Sequence, residues 1–167
     1  MATFVLVHGA WHGAWCWRRV ARLLARAGHE VFTPTLTGLA ERSHLLTPAI
    51  DLDTHIFDVV NEMKWQNLSD VVLVGHSYGG MVISGVAEKM ERAILSIVML
   101  DAFVPENGQS LVDLQPSPMR DAVLRQSGRA RRASRRGPLR FSRSMKRTAP
   151  GWMHNARRSP SNASCRN

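Results

Sequence analysis

Val71-Val72-Leu73-Val74-Gly75-His76-Ser77-Tyr78-Gly79-Gly80-Met81-Val82 is the stretch that decides the fold. Its first four residues form an unbroken apolar run, mostly β-branched, as in a strand buried on both faces. From Tyr78 to Met90 small and apolar residues continue in a helical pattern. Between strand and helix lies G-x-S-x-G, from Gly75 to Gly79. A strand that turns this sharply into a helix forces the serine into a strained backbone angle. Its Oγ then projects from the C-terminal edge of the sheet. Glycines at 75 and 79 leave room for strand and helix to pass closely. Chance alone gives the motif in roughly 5% of chains this long at average glycine and serine usage. Demanding a strand before it and a helix after it removes most of those. The bland alternative is a serine in a glycine-rich turn with no chemistry.

Outward from this core the pattern repeats. Thr3–Val7 reads as a first strand and Trp15–Ala27 as a helix stopped by Gly28. That helix sets Trp17, Val20, Leu23 and Leu24 against Arg18, Arg19, Arg22 and Arg26 on its other side. Glu30–Thr33 is a short strand ended by Pro34, and Leu36–Leu46 a loop. Thr54–Trp65 is a helix with Ile56, Val59, Val60 and Met63 on one face, and Ile94–Leu100 a fourth strand. Strands alternating with helices predict an α/β domain with a parallel sheet. Ile94–Leu100 ends that series, so its apolar edge is expected to lack a neighbour and to favour aggregation.

Charge divides the chain of 167 residues. Residues 1–117 carry a net charge of −4 and residues 118–167 of +13, within a total of +9. The first part reads as one folded core. The second, rich in Arg, Ser and Pro, reads as a basic tail without a packing period. No apolar run reaches membrane-spanning length, and no export signal is evident, so a reduced cytoplasmic setting is expected for Cys16 and Cys165. The tail would attract phosphate in a salt-dependent way. It lacks interleaved aromatics and any recognition motif, so specific nucleic-acid binding is not expected.

A serine nucleophile needs an oxyanion hole. One donor is the backbone N–H of the following residue, here Tyr78; the other comes from the loop after the first strand. That loop reads His8-Gly9-Ala10-Trp11-His12-Gly13, and Ala10 N–H is the candidate. Seven histidines could be weighed as a base. His8 suits a role in holding the loop, and His12 could reach the pocket. His29 and His55 read as ordinary helix-edge residues, and His44 lies in a polar loop. His76 should point away from Ser77, and His154 follows no strand. Asp101, at the end of the fourth strand, reads as a solvated or capping residue.

The runs FVLVHGAWHGAWCW, TPTLTGLAERSHLL, GHSYGGMV and LDAFVPENGQS resemble the α/β-hydrolases related to plant methylesterases and hydroxynitrile lyases, above all the bacterial esterases of that branch. The resemblance covers about residues 2–126. It implies the N-terminal half of an α/β-hydrolase fold, with Ser77 as nucleophile and Ala10 and Tyr78 as oxyanion donors. It implies a small carboxylic ester as substrate, with no metal and no cofactor. The family's acid and base follow the serine on later loops, so the resemblance supplies neither within this sequence, and a truncated, inactive form is expected. A hydroxynitrile-lyase-like activity and a non-catalytic basic binder acting through residues 118–167 are the alternatives.

The tail's Arg and Ser excess is that of a high-GC gene read in a wrong frame. Shifted by one base, with permitted codons, residues 133–160 re-read as acidic and aromatic sequence similar to the family's cap region. Sequencing the gene across codons 114–133 is expected to show a one-base insertion or deletion; an intact frame in independent reads would refute the shift.

Overall fold

The computed structural model describes residues 1–118, 120–122, 124 and 125. Four parallel strands form one sheet: β1 (Thr3–Val7), β2 (Glu30–Phe32), β3 (Val71–His76) and β4 (Ile94–Leu100), in the order β2-β1-β3-β4. Three helices connect them: α1 (Arg18–Arg26), α2 (Leu52–Trp65) and α3 (Gly79–Met90). This is the α/β architecture expected from the sequence. The basic tail beyond residue 125, with His154 and Cys165, lies outside the described residues. Helical residues at 117, 118, 120–122, 124 and 125 fall on both sides of the expected 117/118 boundary.

The sheet is covered unequally. Alternate side chains of a strand face opposite ways. Val5, Val7, Val71 and Leu73 therefore meet α2 and α3, packing with Ile56, Val59, Val60, Met63, Met81, Val82, Ile83 and Val86. The expected apolar face of α2 is buried in full. The helix starts two residues earlier than its apolar spacing suggests. Asp51 accepts from Thr54 N–H at 2.9 Å while the Thr54 hydroxyl faces the Asp51 N–H, a capping box that stabilises the first turn.

The other sheet face holds a smaller cluster of Leu6, Val74 and Trp17, with Phe4, Leu24, Val31 and Val72 packed against it. Here the expected apolar face of the first helix divides. Residues 14–17 form a 3₁₀ turn, which carries Trp17 into the core, and α1 itself buries no residue. Val20 and Leu23 are exposed. Among the described residues α1 and the turn before it cover this face, over β2 and β1. The stretch read as a loop contains a further 3₁₀ segment, Ala40–Leu45, which brings Glu41 and Arg42 back onto Thr35. Leu95, Ile97, Val98, Met99 and Leu100 of β4 are exposed at the sheet edge, as the sequence led one to expect.

The chain leaves β1 toward β2 on one side and returns to β3 on the other. The C-terminal ends of β1 and β3 therefore stand at the switch point of the topology, the place where open α/β sheets bind ligands. Val7 is in register with Gly75. Beyond that pair, α3 must cross the end of β1 at backbone distance. A Cβ on Gly79 would stand 2.6 Å from the Val7 carbonyl oxygen. Overpacking of this kind costs about 1–3 kcal/mol. Gly79→Ala is expected to lower unfolding free energy by that amount in urea titration, because both colliding groups are backbone.

Candidate active site

Ser77 has φ +53°, the left-handed region that a bulky L-residue rarely adopts. The turn is held from both sides. Ser77 N–H donates to Leu100 O, while Ser77 O accepts from the N–H groups of Gly80 and Phe103. The strained angle is thus over-determined by β4 and by the first turn of α3. Ser77 is half-buried, and its hydroxyl makes no side-chain hydrogen bond among the described residues.

The loop after β1 lies directly over this turn. A Cβ on Gly9 would stand 3.0 Å from the Ser77 Cβ and 3.1 Å from His76 Nδ1, so only glycine lets the loop pass this closely. Ala10 follows, 5% exposed, and its N–H has no hydrogen-bond partner among the described residues. Buried backbone donors without partners are rare, so this N–H is open to a ligand's acceptor. Trp11 has φ +60° and is exposed, so the chain turns outward immediately after Ala10. His12 Nδ1–H donates to Ala10 O at 2.9 Å, and its ring leans on Trp15. The role of His12 here is to brace the loop. The structure thus brings Ala10, Ser77 and Tyr78 to one place.

Other histidines are also accounted for. His76 turns to His12 and Trp17 as edge-on ring contacts. His29 accepts from Ala2 N–H and packs against Phe4. His44 and Asp101 are exposed.

His55 departs from its reading as a helix-edge residue. It is fully buried on α2, with Nδ1 2.9 Å from the Tyr78 hydroxyl and Nε2 2.9 Å from Thr37 O. A carbonyl can only accept, so Nε2 carries the proton and Nδ1 accepts from the phenol. His8 is buried as well. Its Nδ1–H donates to Gly9 O at 2.8 Å and its Nε2 accepts from Leu36 N–H at 3.1 Å. No periodicity marks a histidine as buried; the only available signal was that position 55 falls one residue before Ile56 on the apolar face.

Burial holds both His8 and His55 below the ordinary histidine pKa, and the hydrogen bonds to Gly9 O and Thr37 O offset this in part. Burial also raises the Tyr78 phenol far above its usual range, so it remains a neutral donor. The bond from Thr35 is the main cause that holds the Glu41 carboxyl low.

Comparison with known proteins follows from this geometry. The family model described as "Alpha/beta hydrolase family" matches residues 4–166. The chain belongs to the alpha/beta hydrolase family. Among the relatives of this hydrolase is the carbendazim hydrolyzing esterase of Nocardioides sp. (strain SG-4G), 55% identical over 126 residues, covering 75% of this chain and 52% of the relative. Methylesterase 1 of Arabidopsis thaliana is 37% identical over 118 residues, covering 64% of this chain and 41% of the relative. An extracellular alpha/beta-hydrolase from a Paenibacillus species superposes with a TM-score of 0.70 at 32% identity, covering 85% of this chain and 56% of that one. The chain spans about half the length of the curated relatives it matches. Among the described residues no helix is long and apolar enough to cross a membrane.

The two buried histidines make stability depend on pH at the acid side. Unfolded histidine takes up its proton near pH 6.5, and the folded forms only below that. The folded state therefore binds fewer protons in this window, and stability falls as pH drops, by at most about 1.4 kcal/mol per pH unit for each histidine. The melting temperature is expected to be flat from pH 7 to 8 and to decline below about 6.5. His55→Asn should shallow that decline; an unchanged slope would show that His55 is not one of the titrating groups.

Proposed function

We propose that this hydrolase acts on small carboxylic esters, with Ser77 as nucleophile and the N–H groups of Ala10 and Tyr78 as oxyanion donors. The observation that carries this is the buried, unpartnered Ala10 N–H on a loop pressed against the left-handed Ser77 turn. The hydroxyl of Ser77 would attack the ester carbonyl. The developing oxyanion would be met by two backbone donors fixed before the reaction starts, which cost no reorganisation. The esterase names borne by relatives support the same substrate class.

A serine attacks readily only when a base takes its proton. No described side chain hydrogen-bonds the Ser77 hydroxyl, which supports reading the nucleophile and the hole as present among the described residues and the acid and base as missing from them. Removing a triad base costs on the order of 10⁶ in turnover. An oxyanion hole with binding alone retains roughly 10³–10⁴ over water. The chain as it stands is therefore read as a weak esterase at most.

p-Nitrophenyl acetate hydrolysis by the purified chain is the test. The expected result is a trace rate that falls to background in Ser77→Ala. Turnover typical of a complete esterase, still lost in Ser77→Ala, would overturn the absence of a base. A rate unchanged by Ser77→Ala would overturn the nucleophile.

A further inference from the structure

Three consecutive residues after β2 touch both halves of the site. Thr35 Oγ1 accepts from Ala14 N–H at 2.9 Å, at the far end of the loop that carries Ala10. Leu36 N–H donates to His8, at the near end of that loop. Thr37 O accepts from His55, which in turn accepts from the hydroxyl of Tyr78. Residues 35–37 thus form a strap between the loop and the elbow.

The strap is itself gripped by α2. Asp58 lies one turn beyond His55 and accepts from Thr37 N–H at 2.6 Å and from Thr37 Oγ1–H at 2.8 Å. Thr37 is therefore held by its carbonyl and by its N–H from one helix face. Arg42 closes the arrangement, donating to Thr35 O at 2.7 Å with Asp58 3.6 Å away. The groups are almost all buried or half-buried, where hydrogen bonds are directional and costly to leave unmade.

Tyr78 has two ends. Its N–H sits in the turn beside Ser77, and its phenol reaches 2.9 Å from a ring on another helix. Its side chain is fully buried, so the phenol cannot seek water instead. We propose that His55 is a positioning residue for the oxyanion hole: by fixing the Tyr78 phenol to the strap that His8 joins to the Ala10 loop, it sets the Tyr78 N–H relative to the Ala10 N–H. The proposal rests on the reading of these two N–H groups as the oxyanion donors.

The test uses the full chain, ¹⁵N-labelled, with 4-chlorophenylboronic acid as the probe. The Ser77 hydroxyl adds to boron and its proton passes to buffer, giving a tetrahedral anionic boronate with no change of oxidation state. One boron oxygen then occupies the oxyanion position. In the wild type the amide signals of both Ala10 and Tyr78 are expected to shift, and Ser77→Ala to remove both shifts. His55→Leu and Tyr78→Phe are expected to weaken boronate binding about tenfold, the worth of one well-placed hydrogen bond. In both variants the Tyr78 shift should shrink while the Ala10 shift persists. His55→Asn keeps an acceptor near the Nδ1 position and is expected to restore the Tyr78 shift. Tyr78→Phe removes only a hydroxyl, so it answers the question if His55→Leu does not fold. A Tyr78 shift and affinity unchanged in Tyr78→Phe would overturn the positioning role. Failure of His55→Asn to restore what His55→Leu loses would also overturn it. No shift of either amide in the wild type would instead overturn the site reading beneath it.

Discussion

The contact on which the rest depends is the approach of the first turn of α3 to the end of β1, at the distance that only Gly79 permits. Strand, elbow and helix cannot pass there if any side chain intervenes. Once they do pass, Ser77 must adopt its left-handed angle, and the loop after β1 must run across it at Gly9. The strain at Ser77 is small beside the backbone hydrogen bonds that enforce it from β4, from α3 and from Phe103. The position of the serine is thus a consequence of packing, established before any ligand arrives.

A second constraint is the burial of polar groups around the elbow. His8, His55, Tyr78 and the Thr35–Thr37 segment lie where water cannot serve them. Each must find a partner in the protein or cost a few kcal/mol. The chain meets this with neutral histidines, which can donate at one ring nitrogen and accept at the other. That property lets the His55 imidazole join a carbonyl, which can only accept, to a hydroxyl, which here donates, across a gap that no backbone bond spans. A second proton on His8 would leave a donor facing the Leu36 N–H, and one on His55 would force the Tyr78 hydroxyl to turn from donor to acceptor.

The two faces of the sheet carry unequal shares of the core. α2 and α3 pack against one face with a continuous set of buried aliphatic side chains. On the other, α1 shelters Trp17, Leu6 and Val74, while Leu23 and the outer residues of β4 are exposed. The site stands at the junction: His55 and Asp58 reach it from α2 on the well-packed side, and Ala14 and Trp15 from the 3₁₀ turn on the other.

Much of the architecture was legible from residue pattern. Continuous apolar runs marked β1, β3 and β4; β1 and β3 are packed within the sheet, while β4 carries the same pattern but stands exposed at the edge. Helical spacing marked the buried face of α2, and G-x-S-x-G with its flanks marked the elbow and the Ser77 turn. The 3₁₀ turns at 14–17 and 40–45 were not legible, since their bonds depend on what the chain meets on folding. Nor was the exposure of Val20 and Leu23, which depends on what lies over a helix and not on the helix itself. Local pattern by itself determined the order of elements and the residue at the sharp turn, because those follow from steric limits acting over a few neighbours. Tertiary structure alone decided that His55, which reads from the sequence as a helix-edge residue, would be buried and join Tyr78 to Thr37. Those partners lie on separate elements, and only the sheet order brings hydrogen-bonding groups so far apart in sequence to within 3 Å.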